Sequence, residues 1–470
     1  MARIAVIGAG MGAMATAARL AVAGHQVTVY ERRSTYGGSV GRYERDGFAF
    51  DTGPGLLHLP AVYRDLFVKT GKRPLEDCVE LVQVDPAVRH VLADGTAVTL
   101  PGGSRGGAAA VLDQAFGAGA GDRWNGVLGR ARDAWDATRR PLLEEPLRPD
   151  WQVLGRDPYP ALRGSGLLRR RPPTLAEVAG RELGGELGEL LAARVRAYGV
   201  DPATAPASAA VLPYMEQTFG SWYVRGGMRA LATAVYERCL ERKVTFVFDA
   251  PVREVLEREG RAAGLVLSDG SGVAADLVVC GVDPRQLRAP VPAGGALARG
   301  PGVASRLTLL LALRGARPAD AVHRTLVHSP GAQLTVLRPD DPAVRPDADH
   351  EAVTVSAVCG PGGASAGHTE ELLDLAARAV PELRERLLWA HARTPADIEA
   401  ETGAQDGAVP PPALAGADGR MLYPANTTAL PGLFLAGGWA HPGGGLAHAG
   451  MTGALVAGLI VEGAGFRGSQ

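Results

Sequence analysis

Apolar residues fall into short blocks at the two ends of this chain and into helix-spaced patterns between them. Residues 3–7, Arg-Ile-Ala-Val-Ile, form a short apolar run of the kind buried on both faces of a parallel sheet. A glycine-rich turn follows at Gly8–Gly12. The small-residue stretch Ala13–Ala23 then predicts a helix closed by Gly24, and Gln26–Tyr30 predicts the next strand. Strand, turn, helix and strand in that order make a βαβ unit.

Between about 76 and 220 the pattern changes. Asp94-Gly95 predicts a hairpin, and helices are expected over Gly107–Phe116, Arg123–Thr138 and Leu175–Tyr198. Strand signals return at Val244–Phe248, Val252–Glu257, Ala263–Leu267 and Val273–Cys280, with Asp269-Gly270 as a turn. Residues 305–314, 333–338 and 352–358 read as further strands, and about 369–390 as one long helix. The chain closes with a strand at Leu433–Ala436, a glycine loop and a helix over about 446–462. The expected class is α/β with an α+β substrate domain. A Rossmann-type nucleotide domain is built from residues 1–75, 221–290 and 421–470. The substrate domain, 76–220 and 291–420, is interleaved with it.

A length of 470 residues suits two or three packed cores. The formal charge of -1 offers no field to recruit nucleic acid. Cys78, Cys239, Cys280 and Cys359 are far apart and show no metal-ligand spacing, so no metal is expected. Met1 leads almost at once into the first strand and no apolar stretch reaches the length of a membrane span. A cytoplasmic protein is therefore expected. A peripheral membrane contact is suggested only by Trp151–Arg171. There Trp151, Leu154, Tyr159, Leu162, Leu167 and Leu168 alternate with arginines, a composition that an ordinary Arg-rich surface would also show. Oligomeric state is not readable.

The chemistry begins at Gly8-Ala9-Gly10-Met11-Gly12-Ala13, a G-x-G-x-x-A pattern. Gly8 permits the tight turn, Gly10 lets backbone approach a pyrophosphate, and Ala13 allows close helix–strand packing. Gly12 stands where the helix begins, with its N–H groups facing the phosphates. Glu31 ends the second strand, at the right distance for a ribose hydroxyl, and Arg32 follows it. The unit alone does not separate FAD from NAD. Val358–Ala364 also links a strand to a helix, but Pro361 is ill-suited where backbone donors are wanted, and the segment reads as a loop.

Three further segments narrow the reading: Gly37-Gly38; Asp46 through Gly55 (Asp-Gly-Phe-Ala-Phe-Asp-Thr-Gly-Pro-Gly); and Gly432–Gly445, carrying Ala436-Gly437-Gly438-Trp439-Ala440-His441-Pro442-Gly443. With them the sequence resembles the phytoene desaturase (carotenoid dehydrogenase) branch of the flavin amine oxidase superfamily. The resemblance covers both ends and Gly226-Gly227-Met228 through Asp283-Pro284, and fades across about 76–215 and 290–420. It implies a two-dinucleotide-binding-domain flavoprotein that holds FAD non-covalently. It also implies that Gly8, Gly10, Ala13 and Glu31 hold the ADP half. Gly38 and Arg42 would lie along the ribityl–phosphate part, and the Val252 backbone against adenine. Gly437 and Gly438 would cradle the phosphates, and Gly450, Met451 and Thr452 would lie near the flavin pyrimidine. Ser39 stands where the family usually has a basic residue, with Arg42 as the substitute.

Where carotenoid desaturases continue after Gly445 with an apolar residue, Pro and Gly, this chain reads Leu446-Ala447-His448-Ala449. A histidine there implies a substrate with a heteroatom or a proton to be removed. His448 and His441 are the candidate bases, because histidine titrates near neutrality. Against that, His441 reads better as a fixed loop residue, and His448 equally as a helix cap. Trp439 is expected as a wall beside the flavin, and Tyr214, Glu216 and Tyr223 as lining of the substrate path or plain packing. The expected activity is FAD-dependent desaturation or dehydrogenation of a small, lipophilic or secondary-metabolite substrate, with oxygen or a quinone as electron acceptor. The competing readings are an amine oxidase, an FAD-dependent isomerase and a non-enzymatic prenyl-protein escort. Amine oxidases usually keep a lysine near the flavin, and this chain has none after Lys243. An escort does not need the full glycine set seen here.

Overall fold

Five apolar runs from distant parts of the chain meet in one parallel sheet, in the order Leu433–Leu435, Leu277–Cys280, Arg3–Ile7, Gln26–Tyr30 and Thr245–Val247. The structure, a computed structural model, describes residues 1–162, 171–287, 303–329, 332–360, 363 and 366–468. Ile7 is in register with Cys280 and with Tyr30, and Cys280 with Leu435. The loops after four neighbouring strands therefore open at one carboxyl edge, where such sheets bind nucleotides. The helices Met11–Val22 and Leu446–Glu462 cross closely on small residues: a Cβ on Gly453 would lie 2.8 Å from Ala15.

The second unit is a seven-stranded mixed sheet. Its order is Leu387–Arg393, Ser305–Arg314, His350–Cys359, Ala332–Leu337, Arg324–Ser329, Val88–Val91 and Ala97–Leu100. Alternation decides its faces. Val88 and Leu326 join the apolar core of the helices between Ala120 and Phe219. Val91 and Val327 join a second core under the helix Thr369–Ala376. Three smaller sheets complete the strands, including a hairpin of Arg42–Arg45 with Phe48–Asp51.

Four expectations are corrected. The long helix over 369–390 stops at Ala376. Pro381 and Glu382, which has φ +53°, break the chain, and Leu387–Arg393 becomes an edge strand on Ser305–Arg314. Leu175–Tyr198 is interrupted at Gly184 and Gly185, both with positive φ. Val273–Cys280 is two strands, Gly272–Ala274 and Leu277–Cys280, in different sheets; between them Asp276 turns to accept from Arg3 N–H (2.8 Å). Leu446–Gly465, with mean hydropathy 1.4, is long and apolar enough to cross a membrane by composition, contrary to the expectation that no stretch reaches that length. Its apolarity is explained by burial: it is the central helix packed on Met11–Val22 and on Ala61–Thr70.

Of the Trp151–Arg171 stretch, residues 163–170 lie outside the described residues. In the rest, Leu154 and Tyr159 are buried, while Val153 (71% exposed) and Leu162 (54%) face outward. Pro361, Gly362 and Ala364 of the loop after Cys359 also lie outside the described residues.

Candidate FAD and substrate site

Backbone hydrogen bonds shape the first loop. Gly8 N–H donates to Tyr30 O (2.8 Å) and Gly37 N–H to Ala9 O (2.8 Å), which lays the Gly37-Gly38 turn against the phosphate loop. Gly8 has φ +85°. A Cβ on Gly10 would meet no protein atom within 4 Å, whereas one on Gly12 would lie 2.7 Å from Gly437 Cα and 2.8 Å from Ala449 O. The two glycines therefore do different things: Gly12 allows backbone packing, and Gly10 keeps open a space that no protein atom uses. The helix above it has no side-chain cap, so its first N–H groups face that space unpaired. Ala13 is fully buried against Gly281. An open cradle under an uncapped helix N-terminus suits a pyrophosphate.

Glu31 is tied to the same loop. Its Oε2 accepts from buried Ala9 N–H (2.7 Å) and its Oε1 from Arg33 N–H (2.9 Å). Each oxygen keeps a lone pair for a ribose hydroxyl. Ala250 N–H donates to Glu31 O (2.9 Å) and Asp249 N–H to Arg33 O (3.1 Å), which draws the segment leading into Val252 alongside Glu31. Arg32 instead donates to Ala400 O (2.6 Å). Arg42 donates through Nε to Glu44 (2.6 Å) and through Nη1 to Gly226 O (2.8 Å). Ser39 is exposed, and Gly38 lies over Gly10, its Cβ position 3.0 Å from Gly10 Cα.

On the opposite side Ala436 N–H donates to Cys280 O (2.8 Å), which places Gly437 and Gly438 beside Gly12 and Gly281. Trp439 is half-buried with the Arg285 guanidinium 4.8 Å above its ring, and Arg285 is clamped to Asp283. The last helix starts at Leu446, with exposed Gly445 (φ +91°) as its N-cap and no side-chain cap. The unpaired donors are thus those of Leu446, Ala447 and His448. Gly450, Met451 and Thr452 lie past the first turn: Gly450 abuts Val62 and Tyr63, Met451 packs on the helical core, and Thr452 Oγ1 bonds back to His448 O (3.2 Å).

The two histidines separate. His441 is fully buried; its Nε2 donates to Glu145 O (2.9 Å), and Asn426 donates to its carbonyl (2.8 Å). It pins the C-terminal loop to the substrate domain. His448 projects into an apolar cavity with Trp135, Leu142, Val211, Met215 and Leu414. Burial, then nearby His441, pushes its imidazole down to about 4. Tyr214 is buried and packs edge-on against Phe219. The Tyr223 hydroxyl donates to Asp341 (2.8 Å), and burial and that carboxylate keep the phenol protonated. Glu216 lies in a buried ion pair with Arg194.

Two residues given no role from the sequence also lie here. Asp51 accepts from Met228 N–H (2.9 Å) and Arg229 N–H (3.3 Å), capping the helix Met228–Glu241 after the Gly226-Gly227 turn; burial pushes it up to about 6. His58 sits between that hairpin and the helix Ala61–Thr70, whose Tyr63 donates to Leu446 O (2.9 Å). The only sequence signal for His58 is a polar residue inside Leu56-Leu57-His58-Leu59, just past Gly55.

Residues 14–322 match the family model described as flavin containing amine oxidoreductase. The chain is 27% identical over 494 residues to a 4,4'-diapolycopene oxygenase of Methylomonas sp, covering 98% of each protein. It is 32% identical over 294 residues, 60% of this chain and 53% of the other, to a zeta-carotene-forming phytoene desaturase of Myxococcus xanthus. A solved putrescine oxidase superposes with a TM-score of 0.68 at 14% identity, over 98% of this chain and 99% of that one.

Proposed function

This chain belongs to the flavin containing amine oxidoreductase family, and from that premise we propose that it desaturates an elongated, largely apolar substrate in the His448 cavity. It is an FAD-dependent oxidoreductase of the carotenoid desaturase-like branch. The observation that carries the substrate reading is the cavity itself: a mostly apolar lining from Trp135 to Leu414, with Thr138, Arg139 and Ser208 as its other polar members, that includes a neutral imidazole at the N-terminus of the last helix. FAD, when bound, supplies the two-electron acceptor for a hydride leaving a substrate C–H.

The residues present account for the rest. The cradle over Gly10, Glu31, and the glycines at 437 and 438 would hold the dinucleotide. The first-turn N–H groups of Leu446–His448 would stabilise negative charge at the adjoining edge. Trp135, Leu142 and Met215 exclude water and fix the chain of the substrate. His448, neutral above about pH 4, accepts the proton lost from the neighbouring carbon. An amine-oxidase reading lacks its lysine, since none occurs after Lys243.

Oxygen or a quinone is the acceptor in this reading. A cytoplasmic protein that touches the bilayer through exposed Val153 and Leu162, beside Trp151, suits a substrate drawn from lipid. The test is anaerobic mixing of the FAD-loaded protein with polyenes in detergent, followed by absorbance at the flavin band. Bleaching, then recovery with oxygen or a quinone, supports the reading and identifies the acceptor. His448→Ala should slow bleaching about 10²–10⁴-fold with FAD still bound. Product of unchanged mass with no acceptor consumed would replace desaturation by isomerisation.

A further inference from the structure

The most heavily charged buried region outside the phosphate loops lies between the seven-stranded sheet and the helices Gly185–Arg196 and Val211–Phe219. Glu216 is its centre. Arg194 donates to Glu216 Oε2 through Nε (3.0 Å) and a terminal nitrogen (2.8 Å). Arg324, on the strand Arg324–Ser329, stands 3.0 Å from Oε1, and His58 Nε2 stands 3.9 Å from the same oxygen. The Tyr198 ring is 5.8 Å from that of His58.

The charges do not balance. Arg194 and Arg324 face one carboxylate, and burial pushes His58 down to about 4, so it adds no anion and no cation at neutral pH. Arg306 in the same layer donates to Ala197 O (2.7 Å) and adds a further positive charge. Buried guanidinium groups are normally matched by anions and hydrogen-bond acceptors. Arg324 is 4% exposed and, among the described residues, makes no hydrogen bond; its ion pair with Glu216 is not well directed. The buried Tyr198 hydroxyl faces the Glu216 carboxylate, whose Oε1 already has Arg324 and His58 beside it. The His58 side chain keeps 20% of its surface accessible.

The charged cluster and the reaction cavity border one apolar core. Leu59 and Val62 flank His58, Met215 precedes Glu216, Leu326 lies two residues from Arg324 on the same strand face, and Ala447 precedes His448. All five belong to one buried cluster. We propose that Arg324 anchors a carboxylate subsite, so that the substrate is an elongated apolar chain ending in a carboxylate. The acid end rests on Arg324 beside Tyr198, and the chain runs toward His448. The inference rests on the His448 cavity being the substrate site.

The test is equilibrium binding to the FAD-loaded protein of cis-parinaric acid, a fluorescent polyene acid, against its methyl ester. The acid should bind at least about tenfold more tightly, as expected for a charged hydrogen-bonded pair in a buried site. Arg324→Met should remove that preference while leaving ester binding unchanged. Equal affinities for acid and ester in the wild type overturn the proposal, and so does a wild-type ratio in Arg324→Met. Should Arg324→Met fail to hold FAD, Arg324→Lys reports instead, because it keeps the charge but loses the planar fork. A severalfold smaller ratio supports the subsite and an unchanged one overturns it. Binding is read without turnover. A protein that prefers the acid but is reduced by no polyene keeps this inference and loses the desaturase reading. Desaturation of a neutral polyene with no acid preference does the reverse.

Discussion

Replacing Glu31 by alanine should affect two properties. The carboxylate accepts from Ala9 N–H at 2.7 Å and from Arg33 N–H at 2.9 Å before any ligand is present. Ala9 is fully buried, so its stranded donor alone costs about 1–3 kcal/mol. With the half-buried second bond, the loss of apoprotein stability should reach about 2–4 kcal/mol. The ribose hydroxyl bonds add about 1.5–3 kcal/mol to FAD binding, so affinity should fall about ten- to a hundredfold, and further if the loop loosens. Glu31→Gln keeps one carbonyl oxygen for one backbone donor and sets an NH₂ against the other, so it should fall between. Thermal melting of the apoprotein and FAD titration by fluorescence quenching measure the two effects separately. An apoprotein melting temperature unchanged in Glu31→Ala would refute the structural part. An unchanged FAD dissociation constant would refute the placement of the carboxylate beside the ribose.

The neighbouring glycines should respond in opposite ways. Gly10→Val should leave apoprotein melting nearly unchanged but abolish FAD uptake, because only ligand needs that space; Gly12→Ala should lower melting, because its Cβ would strike backbone at 2.7 Å. His441→Ala should lower the melting temperature through loss of the Glu145 link while the flavin bleaching rate of the loaded protein stays near wild type; a rate loss matching that of His448→Ala would put both histidines in the chemistry. His58, His323, His441 and His448 have folded values near 4, below the ordinary 6.5, so the unfolded chain takes up protons first. Their stabilising contribution is complete above about pH 6.5 and is lost as pH falls toward 4, opposed by Asp51, whose raised value near 6 acts in the other direction, and by Asp157, which burial also pushes up. Melting temperature should therefore drop steadily from pH 6.5 to 4.5, and a flat profile would show these histidines to be open to water.

The dinucleotide half was legible because its signals are local. Residues 3–7, Gly8–Ala13, Gln26–Tyr30 and Glu31 are contiguous, and each needs only its neighbours to be interpreted. The final helix was legible for the same reason, and it starts at Leu446 as its pattern predicts, with its free donors before Gly450–Thr452. The charged cluster was not legible. Arg194, Glu216 and Arg324 come from two helices and a strand, share no spacing, and acquire meaning only when the sheet closes over the helices. The reading of 369–390 failed where local pattern competes with tertiary pairing: Leu387–Arg393 keeps apolar positions usable by a helix, but Ser305–Arg314 offers it an open edge.

The crossing of Gly12 with Gly437 and of Ala15 with Gly453 has a consequence for how this protein is made. A ribosome releases Gly8–Glu31 at the outset and Gly437–His448 roughly 400 residues later, an interval of about 20–80 s at ordinary elongation rates. Through that interval the first βαβ unit has its ribose acid and phosphate loop but not the strand Leu433–Leu435 or the helix that closes the floor. Coenzyme capture thus waits for Gly437–His448, and the nascent sheet must stay unaggregated with one edge still waiting for the strand Leu433–Leu435.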